Sequence, residues 1–300
     1  MIRIIKMDLF RLFKTKSAWI MLIIGVLFTT FSNFMIKSDL EQMKSDMDYY
    51  LQAVSHSETY ISKYETNEEY DMVNVNIGIM VNTNPDWVQD GYKISVLDLF
   101  NINAASRIYM IFIGIAVAIF VRAERKNGYI KAIAGLLPTR AGFAFSKFFT
   151  AGIYTLITFA INMITTAICS KIVFGYINFN SFEDFIPKTL TLLFLHLSFS
   201  AVITAICIFS NSSGLTIFIT IVLGTGLFEI PYSMLNFVLI QFCKVAKSFN
   251  IMRYTVSGNV SILSAAAENS DLIRACIVSA VFMVLFMAGG IYSMKKQDVK

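Results

Sequence analysis

The stretch LTLLFLHLSFSAVITAICIF at residues 190–209 decides the fold. It contains no Asp, Glu, Lys or Arg, and about 20 apolar residues carry a helix across a bilayer core. Outward from it, five more stretches have the same character: 18–36, 105–121, 148–170, 215–230 and 275–294. Stretch 18–36 is too long for the apolar core of a signal peptide and reads as a true span. Composition agrees. Hydrophobic residues make up 56% and charged residues 15%, where soluble domains carry about 25% charged. Soluble globules, disorder and a disulfide-rich scaffold are excluded. Cys169, Cys207, Cys243 and Cys276 lie in or beside apolar runs without a CxxC pair, so they read as small core residues. The expected fold is an all-α polytopic membrane protein with six transmembrane helices.

Lys and Arg counts in short loops set the orientation. With the N-terminus inside, segments 1–17, 122–147, 210–214 and 295–300 hold five, six, none and three, against two and four in 171–189 and 244–274. Both termini are expected in the cytoplasm of a cell-membrane protein. Segment 1–17 reads as an amphipathic elbow helix on the inner leaflet, with Ile2, Ile5, Leu9, Leu12 and Phe13 on one face and Arg3, Arg11 and Lys14 on the other; the plainer alternative is a topology anchor. Segment 37–104 is too long for a connector and carries a net charge of −8. Leu40, Met43, Met47, Leu51 and Val54 continue the first helix outward. Val73, Val75, Ile77, Ile79 and Val81 alternate with polar or small positions as in a strand, and Asn84-Pro85-Asp86 reads as a turn. A small mixed α/β extracellular cap is expected. Its acidity either attracts cationic substrates or simply keeps it soluble, and the second reading is favoured.

The inner segment 122–147 carries the densest signal. Tyr129, Ile130, Ile133, Leu136 and Leu137 share a helical face, Pro138 ends that helix and Gly128 permits a sharp turn. The expectation is a short helix along the membrane with a charged elbow that a cytosolic partner grips; the alternative is a basic loop that only sets topology. Among charges inside spans, Arg107 is expected to snorkel to the outer surface without a role. His196 is expected to hydrogen-bond between helices. Glu229 should lie in the outer leaflet, with Pro231 breaking the helix so that 231–274 comprises a short re-entrant helix and an outer loop. An outer gate or substrate contact at Glu229 and Pro231, and capping of the re-entrant backbone, are equally open readings.

Several chemistries are missing. There is no GxxxxGK[ST] loop for ATP, no HExxH and no GxSxG. Glu68-Glu69 lies outside the spans, unlike the paired glutamates of intramembrane proteases. No inverted repeat of the secondary-transporter kind is evident. The basic residues sit at membrane edges, so membrane lipid and not nucleic acid is the expected contact.

Taken together, the elbow helix, six spans, both ends inside and short second inner loop resemble the ABC-2-type family, the permease subunits of bacterial ATP-binding-cassette exporters. The resemblance covers the whole chain. It is sharpest at Glu124-Arg125, Asn127-Gly128, Pro138-Thr139-Arg140 and Lys147, while Tyr129 stands where many relatives carry a small hydroxyl residue. The resemblance implies a non-catalytic subunit that binds no cofactor itself. It also implies a homodimer with a second copy of this chain, and two copies of a separate ATPase subunit that holds ATP and Mg. Glu124, Arg125, Lys126, Asn127, Gly128 and Arg140 would then couple to the ATPase. The layout looks like exporters of antimicrobial or toxin peptides, antibiotics and similar amphiphiles, with a role in antimicrobial resistance. Two alternatives remain: an ion-coupled secondary transporter with Glu229 carrying a proton, and a membrane-embedded sensor with an acidic outer domain.

Overall fold

A computed structural model describes residues 2–55, 87, 92–126, 140–179, 182–210, 212–242, 249–263 and 269–296. Helices dominate: α1 (Ile2–Lys14), α2 (Lys16–Ser55), α3 (Val96–Ala105), α4 (Ile108–Lys126), α5 (Arg140–Val173), α6 (Phe182–Phe209), α7 (Ser213–Gly224), α8 (Glu229–Phe242), α9 (Val256–Ile262) and α10 (Asn269–Lys296), with a 3-10 turn at Ile251–Tyr254. Stretches within four of these helices, Lys16–Asp46, Arg140–Val173, Ile186–Phe209 and Asn269–Lys296, are long and apolar enough to cross a membrane. The total reaches six if α3–α4 and α7–α8, bent by 60° and 63°, each count as one span.

The bundle inverts the soluble pattern. Thr29, Asn33, Asn162, His196, Thr216 and Thr220 are fully buried, while Ile23, Leu27, Phe31, Ile164, Val284 and Leu285 face outward. This is the distribution a lipid solvent selects, because it offers apolar side chains a home and polar groups no partner. The chain is a multi-pass membrane protein. α2 runs well past its apolar part as a single helix, as the spacing of Leu40 and Met43 predicts. The strand expected at 73–81, the turn at 84–86 and the helix expected at 129–137 lie outside the described residues.

Three expectations need correction. First, α1 exists, but its most buried line is Ile4, Asp8 and Leu12, with Ile2 at 71% exposure; an aspartate occupies the centre of the inward face. Second, the helical run leading into the second span begins at Val96, not at 105. Ser95 caps it reciprocally with Asp98, and only Ile102 of α3 escapes full burial. Third, Pro231 does not break the fifth span. The break precedes it, at 225–228, and Pro231 sits in the first turn of α8, where a backbone N–H has no helical partner to lose.

Candidate functional site

The two breaks share a backbone device. After α7, the Leu227 N–H donates to the Val222 carbonyl across Gly226, which adopts φ +76°; this is the left-handed glycine stop common at helix ends. After α3, the same left-handed place is taken by Arg107 at φ +68°. Its own carbonyl accepts from the N–H groups of Met110 and Ile111, so Arg107 both ends α3 and starts α4. A residue with a β-carbon in this conformation costs roughly 1–2 kcal/mol. Glycine would avoid that, so the side chain at 107 is what the site retains.

That side chain points inward. Arg107 donates through Nη2 to Glu229 Oε1 as a buried ion pair, with 3% and 1% side-chain exposure. Glu229 opens α8, where the helix dipole favours negative charge. Its second oxygen, Oε2, has no hydrogen-bond partner among the described residues. Arg107 therefore does not snorkel. A long cation reaches for water only when no anion lies nearer, and here a carboxylate is supplied 122 positions along the chain.

Below this pair α4 and α7 run antiparallel in close contact. A β-carbon on Gly224 would come within 2.5 Å of Ile111 Cγ1, and one on Gly114 within 2.4 Å of Thr220 Cγ2. At the far end Arg122 Nη1 donates to the Ser210 carbonyl at 2.5 Å. The positions 107/229, 111/224, 114/220 and 122/210 form one continuous register. Arg122, expected in the inner loop, is helical and buried.

A second buried pair lies near the other end of α4. Lys147 Nζ donates to Asp8 Oδ1 at 2.7 Å and Ser146 Oγ donates to Asp8 Oδ2 at 2.5 Å, so both carboxylate oxygens are used. The ammonium also stands 4.3 Å from the Phe143 ring centroid and 5.2 Å from that of Phe120. Asp8 and Lys147 are 0% and 1% exposed. Lys147 was expected to enter a span; it lies two turns inside α5 and fastens α1 to it. Between the two pairs, Thr29 Oγ1 lies 2.8 Å from both the Tyr109 hydroxyl and Asn162 Oδ1, tying α2, α4 and α5 together. His196 bonds Leu192 of its own helix through Nδ1 at 2.7 Å, not a neighbouring helix, and its ring meets Phe159 edge-on at 4.7 Å.

The expected coupling residues flank or lie in segment 127–139. Glu124, Arg125 and Lys126 form the last positions of α4, Arg140 begins α5 and is exposed, and Asn127 and Gly128 lie outside the described residues. Glu229 and Pro231 lie two positions apart at the start of α8, with Pro231 exposed while Glu229 is buried. Sequence reasoning missed Asp8 and Arg107. Asp8 is the only acid in segment 1–17, and Arg107 and Glu229 are lone opposite charges in two otherwise apolar spans; each was a visible signal.

Among the described residues no group of three or more His, Cys, Asp or Glu side chains is arranged to hold a metal. A sequence model of the ABC-2 family transporter proteins matches residues 73–226. The chain belongs to the ABC-2 transporter family. The match takes in α3 to α7, and so the whole antiparallel register of α4 and α7 short of Glu229. A comparison with curated proteins finds no relative of significant similarity. An ABC-2 permease is a membrane component of an ABC-type transporter, and the family implies partnership with an ABC ATPase subunit.

Proposed function

We propose that this permease forms the translocation path of an ATP-binding-cassette exporter for an amphiphilic substrate, of the antimicrobial-peptide, toxin-peptide or drug class. A separate ATPase subunit, present in two copies with ATP and Mg, powers it, and two copies of the permease make the path. The observation that carries this reading is the family match across 73–226, which spans the α4–α5 connection. In this reading both termini and that connection face the cytoplasm. Glu124, Arg125, Lys126, Asn127, Gly128 and Arg140 receive the ATPase, and the break at Glu229 and Pro231 closes the outer end of the path. Nucleotide binding supplies the differential free energy between closed and open states. The lever available to transmit it is α1 fastened to α5 by Asp8 and Lys147 beside that connection. The pairing of Glu229 with an arginine, which stays protonated, weighs against a proton-carrying role.

Copurification tests the proposal. The permease should bring down an ATPase subunit, and Glu124→Lys should weaken that association while leaving the permease folded. Unchanged association in Glu124→Lys would remove the connection from the docking site, and transport by the permease alone in liposomes would refute the ATPase-driven reading.

A further inference from the structure

We propose that Arg107 and Glu229 are a latch that holds the two bent spans closed against each other, and that they separate when the transporter opens at that end. The inference rests on the exporter reading for the source of the opening force. Three observations support the latch itself. The pair bridges the breaks of two different spans, so parting it releases the start of α8, a helix in which only Glu229 and Asn236 are buried, from the joint at Arg107. Arg107 occupies a left-handed backbone position that the companion break gives to Gly226; a strained residue kept at a joint points to a role for its side chain. And Glu229 leaves Oε2 without a partner among the described residues while being 1% exposed. A buried carboxylate with half its bonding capacity unused is held less completely than it would be in a static brace.

The geometry also says what should move. Along the shared register α4 and α7 approach too closely at Gly114 and Gly224 to slide. They are bonded at the other end through Arg122 and Ser210. α3 is buried against α5 and α6, so motion is left to the limb beyond the second break, α8, pivoting at Gly226. Arg107 is thus a positioning residue for the opening step.

Cysteine accessibility tests the latch without a known substrate. Ser106 is 3% exposed and adjoins Arg107. Ser106→Cys is placed in a chain with Cys169, Cys207, Cys243 and Cys276 replaced, assembled with its ATPase in sealed vesicles. A membrane-impermeant maleimide is then applied to one face at a time. With the native pair, labelling from the face opposite the ATPase should be slow, and ATP should raise it about tenfold, within the usual range of coupling between sites. Glu229→Gln and Arg107→Gly should each give fast labelling without ATP, and the exchange Arg107→Glu with Glu229→Arg should restore ATP dependence. Folded single variants that label no faster than native would overturn the latch. So would loss of folded protein in both single variants together with slow, ATP-insensitive labelling of the folded exchange, the mark of a static brace. If the single variants label fast but ATP changes nothing in the native pair, the latch stands and the ATP-driven reading fails.

Discussion

Near one end of α4 a lysine closes on an aspartate whose two oxygens are both bonded. Roughly 20 Å away, taking 13 residues from Phe120 to Arg107 at 1.5 Å each, an arginine closes on a glutamate with one oxygen unbonded among the described residues. The Asp8–Lys147 pair adds two aromatic rings around its cation and sits on regular helix; the Arg107–Glu229 pair sits on a strained joint. Two pairs of the same charge type thus differ in how fully they are satisfied. A fully bonded buried pair behaves as a fastener, because opening it exposes every member to hydrocarbon. A partly bonded pair at a pivot has less to lose on opening.

That comparison breaks most decisively at Asp8 and Lys147. Lys147→Met leaves Asp8 buried without its cation and should cost about 3–5 kcal/mol, the usual penalty for removing one partner of a buried pair. Yield of folded protein after detergent extraction should collapse, and the double change Asp8→Leu with Lys147→Met should recover it. Normal yield in the single variant would mean that the Asp8–Lys147 pair is no fastener.

Next comes the contact that keeps α4 and α7 together and leaves motion to α8. Gly114→Ala should destabilise the bundle by about 1–3 kcal/mol through overpacking, read as a lower unfolding temperature. Thr220→Ser removes the Cγ2 methyl that the new β-carbon meets, and should restore most of the loss. Absence of rescue would locate the strain elsewhere.

A finer effect separates backbone cost from charge at Arg107 and Glu229. Arg107→Gly combined with Glu229→Gln removes the left-handed penalty of roughly 1–2 kcal/mol and both charges together. The double variant should unfold at or slightly above the native temperature yet label at Ser106→Cys without ATP. A marked fall in stability would show that the Arg107–Glu229 pair is a fastener like the Asp8–Lys147 pair. The smallest effect is expected at Lys37–Glu41, an exposed i,i+4 pair at 3.7 Å. Lys37→Ala should shift stability by no more than about 0.5 kcal/mol, which marks the scale for a charge pair in water.

The spans were legible because lipid selects composition locally, and 190–209 needs no neighbour to read as a helix. The long run of α2 was legible for the same reason, since Leu40 and Met43 keep the spacing of the apolar residues before them. The bends were not. Pro231 is a louder local signal than Gly226, yet proline at a helix start is harmless, and the chain turns at the glycine. α3 was obscured because Val96–Ala105 mixes Asp98, Asn101 and Asn103 into an apolar run; its burial is supplied by other helices. At the site, Glu229 stood out as a carboxylate in a span, but its partner did not. Arg107 lies near a span end, where water is the default destination. Only the packing of α7 on α4 brings the anion within reach. Asp8 was hidden by the same non-local logic, since Lys147 follows it by 139 positions.

These sequence separations have a consequence during synthesis. Arg107 enters the membrane 122 residues before Glu229 exists. At roughly 5–20 residues per second, its charge waits on the order of 6–24 s for the counter-ion. Asp8 waits a little longer for Lys147. For that interval the nascent chain carries charges that the finished fold buries in ion pairs, so early spans must be sheltered by the insertion machinery or held at the bilayer surface. A chain stopped after Gly224 would keep the first charge and never receive its mate. Such a truncated product should be cleared far faster than one stopped after Phe242, a difference that pulse labelling would measure. The order of the ribosome's output, and not only the final energy, thus becomes a constraint on where this protein can afford to place an arginine.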